Sequence, residues 1–179
     1  MKKLILLSIL FLAFIGCEGD SGPPGPPGPQ GADGINILGS VFDVTVDFTP
    51  NNNFSNIIAF PNNLEVFETD VVMVYLLEEQ VSDPSGPIDV WTPLPQSFFF
   101  DNGLQVVYNF NHTFIDVNLF LDGNVNLGTI GSGFTDNQTF RIAVLPADFA
   151  EDFNVNLNSY EEVMETLKSL DADFKVKSL

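Results

Sequence analysis

Positive charge is what this chain has least of. Its 179 residues carry 24 Asp and Glu against 6 Lys and Arg, and no cation occurs between Cys17 and Phe140. Nucleic acid and anionic headgroups are bound by Lys and Arg that displace counterions, so both are excluded as partners of such a surface. Cysteine and histidine are equally scarce. One Cys, Cys17, rules out a disulfide within the monomer, and one His, His112, rules out a His pair or a His-rich metal site. Aromatics are not scarce: 18 Phe and 45% apolar residues describe a packed unit rather than a disordered acidic tail.

The few cations that exist mark the start of the chain. Lys2 and Lys3 precede an apolar run from Leu4 to Ile15, broken only by Ser8 and followed by Gly16. That run is shorter than the roughly 20 residues a membrane-spanning helix needs, so it reads as an export signal over residues 1–16. Its removal takes two Lys and no acid, leaving four cations against 24 acids, a formal −20. Solubility accounts for such acidity without a cationic partner. Phe14-Ile15-Gly16-Cys17 resembles a bacterial lipobox, which implies that the Cys17 thiol is an acyl acceptor, and a thiol left free in an oxidising compartment would be a liability. The alternative is an ordinary secretion signal with a leftover cysteine.

Behind Cys17 and Glu18, glycine takes every third place from Gly19 to Gly34, with Pro in both other positions of Gly22-Pro23-Pro24 and Gly25-Pro26-Pro27. Only glycine fits the crowded axis of three polyproline II chains, and this is the collagen pattern. Five triplets make a short triple helix, and the entropy of ordering three chains favours a monomeric spacer over a homotrimer. As a single extended chain, 15 residues at ~3.1 Å each reach about 45 Å. Both readings hold the following domain away from a membrane.

Phe14-Ile15-Gly16-Cys17, an acidic residue directly behind the cysteine and a Gly-Pro-Pro tether together resemble the collagen-like surface lipoproteins of Bacteroidetes-type bacteria. The resemblance is firm over residues 1–34, with Phe14 where those proteins usually carry Leu. It implies lipidation of Cys17, anchoring in the outer membrane through that lipid, and display on the cell surface. Glu18 and Asp20 match in part the acidic residues associated with surface export in that group, with Gly19 interrupting them. The domain downstream in such proteins brings no activity with it.

From Ile35 the chain consists of short apolar stretches punctuated by Asn, Asp, Gly and Pro. That pattern predicts an all-β domain over residues 35–179, an antiparallel β-sandwich with one C-terminal amphipathic helix. In Val41–Phe48, alternation sets Phe42, Val44, Val46 and Phe48 on one face, with Val41 departing from it. Further strands are expected at 57–60, 71–77, 88–91, 96–100, 104–110, 114–121, 125–130 and 140–145. Pro84, Pro87, Pro93 and Pro95 bracket the strand at 88–91, which suits an edge strand or a crossover.

Loop length fixes two registers. A three-residue Asp101-Asn102-Gly103 loop sets Phe100 against Leu104 and Phe98 against Val106, with Gly103 left-handed, whereas a two-residue loop would put Asp101 opposite Leu104. The same test makes Asp122-Gly123-Asn124 a loop that pairs Leu121 with Val125 and Leu119 with Leu127, with Asn124 left-handed. Ser159 with Glu162 forms a capping-box pattern ahead of Tyr160, Val163, Met164, Leu167 and Leu170 on one helical face. That face is expected to pack on the sandwich, and Phe174-Lys175-Val176 to form a last strand.

Chemistry-bearing patterns are few. His112 sits between Asn111 and Thr113 with no second catalytic group, and Gly128–Gly133 has neither nucleophile-elbow nor dinucleotide spacing. Asp122, Asn124 and Asn126 begin like an EF-hand loop, but Leu127 and Gly133 stand where Gly and a bidentate Glu are needed. No catalytic residue, metal site or cofactor is therefore expected, and the chain reads as a non-enzyme. Trp91 is the one candidate ligand-binding residue. If Ile88 and Val90 face the core, Trp91 faces outward, where a bare indole would stack against a sugar ring; otherwise the helix or the Pro93-Leu94-Pro95 loop covers it. These observations suggest a structural or interaction module with a protein partner, and as the alternative a glycan-binding module at Trp91.

Overall fold

The computed structural model describes residues 39–170 and 176–178. The leader, Cys17 and the Gly-X-Y tether lie outside the described residues, as does most of the Phe174-Lys175-Val176 segment. The described chain is mostly β. Its strands are β1 (Ser40–Val46), β2 (Ser55–Ala59), β3 (Val71–Val81), β4 (Ile88–Pro93), β5 (Gln96–Phe99), β6 (Gln105–His112), β7 (Asp116–Gly123), β8 (Gln138–Leu145) and the two-residue β9 (Lys177–Ser178). Two helices, α1 (Phe149–Phe153) and α2 (Tyr160–Leu170), follow β8.

The strands form two sheets. One has the order β4-β3-β8-β1, antiparallel throughout, with β9 added parallel to β1; the other is the antiparallel β2-β7-β6-β5. Alternation on β1, β3 and β8 turns Phe42, Val44, Val72, Val74, Leu76, Phe140, Ile142 and Val144 inward. There they meet Val106, Tyr108, Val117, Leu119 and Leu121 of β6 and β7 in one buried cluster. Phe48, beyond β1, packs edge-on at 6.0 Å from both Tyr108 and Phe140. Aromatic pairs of this kind add about 0.5–1.5 kcal/mol each beyond the area they bury.

The opposite face of the five-stranded sheet is also covered. Val41, Tyr75, Ala143 and Leu145 point away from the sandwich interior and form a second buried cluster with Phe149 of α1 and Val163, Met164 and Leu167 of α2. Val41, which breaks the alternation of β1, therefore belongs to a second core. The five-residue α1 is an addition to the single helix expected; Phe149 is fully buried, and left-handed Asn154 at φ 52° ends the helix. Ser159 caps α2 as expected, its Oγ accepting from Glu162 N at 3.3 Å. The Glu162 carboxylate instead accepts from Asn156 N at 3.0 Å, so the reciprocal arm of the capping box is displaced onto the preceding turn.

Of the two hairpins, the first has the expected register: Phe98 pairs with Val106, Phe100 N donates to Leu104 O at 2.8 Å, and Gly103 has φ 75°. The second is corrected. No strand lies between Gly123 and Gln138; residues 125–130 carry a single 3-10 turn at Leu127–Thr129, and Asn124 is not left-handed. The cause lies in the neighbouring strand. Asn124 accepts from Gln105 N at 2.7 Å through Oδ1 and donates to Gly103 O at 3.0 Å through Nδ2, which holds the segment beside the start of β6 instead of letting it fold back on β7. Val125, Leu127, Ile130 and Phe134 then pack against the rim of the inner core.

Gly123 permits that arrangement, because a Cβ there would press on the Gln105 carbonyl oxygen and lie 3.1 Å from Val106 Cα. Backbone cannot yield as a flexible side chain does. Gly123→Ala is expected to lower stability by about 2–4 kcal/mol in urea titration, whereas Gly131→Ala, with no neighbour within 4 Å, should stay within about 0.5 kcal/mol of the parent.

Candidate functional site

The outer face of the five-stranded sheet carries one charge pair among its apolar residues. Arg141 on β8 stands directly opposite Asp43 on β1 and, on its other side, Tyr75 on β3. Its Nε and NH2 donate to the two Asp43 oxygens at 2.8 and 2.9 Å, a bidentate pair, and NH1 donates to the Tyr160 hydroxyl at the start of α2. With the two side chains only 13% and 23% exposed, this pair is shielded far more than a surface ion pair. Burial opposes the Arg141 charge, but the hydrogen bonds and field of Asp43 and Tyr160 more than offset it and hold the guanidinium charged.

Trp91 completes the cluster from β4. Arg141 Cζ lies 4.0 Å from the Trp91 ring centroid, and the Tyr160 ring lies 6.0 Å from Trp91 at an interplanar angle of 23°. Arg141 Cζ and the Tyr160 centroid are 5.8 Å apart, too close to lie on opposite faces of the indole. Trp91 thus faces outward from the sandwich but is half-buried, dressed on one side by Arg141 and Tyr160. Within the Pro93-Leu94-Pro95 loop, Leu94 turns into the inner core, while Pro93 lines the same cleft as Trp91.

Tyr75 is the anomaly of this face. Its side chain is fully buried and its hydroxyl is the one buried side-chain polar atom without a hydrogen-bond partner among the described residues. Burial, with the neighbouring Tyr160 adding to it, pushes the phenol up to about 12. Tyr108 in the inner core is as deeply buried, yet its hydroxyl lies 2.8 Å from Phe134 O and 3.0 Å from Gln138 Oε1.

Beside the cluster a cleft of about 520 Å³ opens, lined by Ile88–Trp91 and Pro93 of β4 and by Asn158–Glu161 at the start of α2. It is an open groove and not an enclosed cavity. Asp89 and Glu161 give it two carboxylates, Trp91 and Tyr160 two aromatic rings, and none of its lining residues is a cation.

The remaining candidates fall elsewhere. His112 is exposed at the end of β6, stacked on Phe110 with centroids 6.4 Å apart. The three oxygens weighed as calcium ligands each accept from a backbone N–H: Asp122 from Gly123 at 2.7 Å, Asn124 from Gln105 at 2.7 Å, and Asn126 from Gly128 at 3.0 Å. Among the described residues no three His, Cys, Asp or Glu side chains are grouped to hold a metal, and no helix is long and apolar enough to cross a membrane. The grouping of Arg141 and Tyr160 with Asp43 escaped sequence reasoning. The signal was present: a lone Arg inside Phe140–Leu145 and a lone Asp inside Val41–Val46 are charges in apolar strands, and buried charges require partners.

No family model matches this chain, and no curated protein or solved structure is found similar to it.

This geometry predicts the behaviour of three variants. Arg141→Met should cost about 2–3 kcal/mol by leaving the Asp43 carboxylate unpaired under α2, and should red-shift the emission of Trp91, the chain's only Trp. Tyr75→Phe should gain about 1 kcal/mol by removing an unpartnered buried hydroxyl, whereas Tyr108→Phe should lose about as much. The Tyr75 phenol keeps its proton longer in the folded state than in the unfolded one, whose value is near 10. Its contribution is therefore complete below pH 10 and lost as pH rises toward 12. Between those limits, stability measured against pH should fall less steeply in Tyr75→Phe than in the parent.

Proposed function

We propose that this protein is a lipid-anchored lipoprotein of the cell envelope, held in the outer membrane through Cys17 and displaying its β-sandwich on the cell surface as an interaction module. The observation that carries this reading is the order of parts in residues 1–34: a leader with two Lys and a short apolar core, Gly16-Cys17, an acidic residue, then five Gly-X-Y triplets. An acyl chain supplies attachment without a spanning helix, and the tether sets the domain at a distance of tens of ångströms. Support from the domain is indirect: a two-core sandwich with a surface cleft suits a binding role. In this reading the tether is a monomeric spacer, with homotrimer formation on the membrane as the competing arrangement.

A second reading, a glycan-binding module at Trp91, has the cleft in its favour. The side of the indole away from Arg141 and Tyr160 is where a sugar ring would stack.

Changing Cys17 to Ser should abolish incorporation of radiolabelled fatty acid and release the protein from the membrane fraction. Protease added to intact cells should clip the native protein within residues 19–34 or in the domain. Lipid that still enters the Cys17→Ser variant would overturn the anchor, and cleavage only after lysis would place the domain on the periplasmic side.

A further inference from the structure

The cleft beside Trp91 is bordered by residues that point to both faces of the sheet. Side chains on a strand alternate, so a groove touching Ile88, Asp89, Val90 and Trp91 in succession runs along the strand's edge and not over one face. Among the described residues β4 is the terminal strand of its sheet, and its pairing is with β3. Leu94 N donates to Val74 O at 2.9 Å, so Thr92, two residues earlier, also bonds toward β3. Trp91 lies between them in the alternation, which turns both its backbone N–H and its C=O to the open edge.

Charge decides what that edge accepts. Asp89 and Glu161 line the cleft, Glu78 and Glu79 lie on the adjoining stretch of β3, and the cleft lining holds no cation. Thr92 donates to Glu78 at 2.5 Å and Gln80 to Asp89 at 2.6 Å, leaving each carboxylate with further accepting capacity. A second copy of the chain would bring these carboxylates against their own duplicates, on a surface that is strongly negative overall.

We propose that the open edge of β4 is a docking site for an extended, lysine- or arginine-bearing segment of another protein, which adds as a further strand. The Trp91 N–H and C=O would take its backbone, Asp89 and Glu161 its cations, and the Trp91–Tyr160 rings the aliphatic stem of one long side chain. This goes beyond surface display and stands independently of it, since display rests on Cys17.

The test uses full-length protein in mild detergent with Trp91 emission as the reporter. The probes are a blocked hexapeptide of alternating lysine and valine, its glutamate counterpart, the lysine peptide N-methylated at alternate residues, and cellohexaose. The lysine peptide alone should give a saturable change, with affinity that falls as salt rises. N-methylation on the pairing edge should abolish it, and Asp89→Asn with Glu161→Gln should weaken it about tenfold. If circular dichroism shows the double variant unfolded, the salt dependence of the native protein decides in its place. The proposal is overturned if the lysine peptide does not bind, if the glutamate peptide binds equally, if N-methylation has no effect, or if only cellohexaose changes the emission.

Discussion

A sheet that must be dry on both faces dictates the rest of this structure. β1, β3 and β8 stand between the four-stranded sheet on one side and α1 with α2 on the other, so each contributes apolar residues in both directions. Such strands gain their stability from two layers at once, and neither layer can leave without exposing the same backbone to water. The inner layer is closed by aromatic packing around Phe48, which meets Tyr108 and Phe140 edge-on, with those two rings tilted against each other. The outer layer is closed by Phe149, Val163, Met164 and Leu167, helix residues pressed onto the strand surface. Gly39 marks how tight that closure is: a Cβ there would lie 2.7 Å from both Leu145 Cδ2 and Leu167 Cδ2.

The one cation admitted to the outer layer is placed where it is useful. Arg141 is the sole Lys or Arg between Cys17 and Thr166, and it is bound through every part of its guanidinium, to Asp43, to the Tyr160 hydroxyl and to the face of Trp91. A planar fork can satisfy a carboxylate and still lie flat on an indole, which an ammonium cannot do. The consequence is positional: the start of α2 is fixed against β4, and the cleft between them is bounded by a fixed helix end and an open strand edge. With Arg141 engaged by Asp43, Tyr160 and Trp91, the charged groups that line the cleft are the carboxylates Asp89 and Glu161.

Much of this arrangement could be read from residue order, and what could not has physical reasons. The alternation in Phe42, Val44 and Phe48, the loop at Asp101-Asn102-Gly103 and the helical face from Tyr160 to Leu170 are local patterns, and they reappear in the sheets and in α2. Val71–Leu77 and Phe140–Leu145 are nearly continuous in apolar residues, which is how a strand buried on both faces reads. They were identifiable as strands, but their second face needed a partner that the sequence does not name, and α1 is too short to show a period. The Asp122-Gly123-Asn124 segment went astray because its turn chemistry is identical to that of a hairpin. What redirects it is a long-range bond from Asn124 to the backbone of Gln105, and no local pattern encodes that contact. Trp91 does lie on the outer face, but the premise offered for it fails: Ile88 is half exposed and neither Ile88 nor Val90 joins a buried cluster. The dressing of Trp91 by Arg141 and Tyr160 depends on strand order, which brings residues 43, 75, 91 and 141 onto one face of the sheet.

If both layers are integral to one cooperative unit, the cleft beside Trp91 is a permanent feature of the folded protein and not an occasional opening. Native-state hydrogen exchange tests this most directly, by comparing the amides of Val163 and Leu167 in α2 with those of Ile142 and Val144 in β8. A single opening free energy for all four, equal to that of global unfolding, is the result expected of a sheet that cannot shed either layer. Exchange of the α2 amides through a distinctly cheaper opening, while β8 stays protected, would show the helical layer to be detachable and would contradict the account.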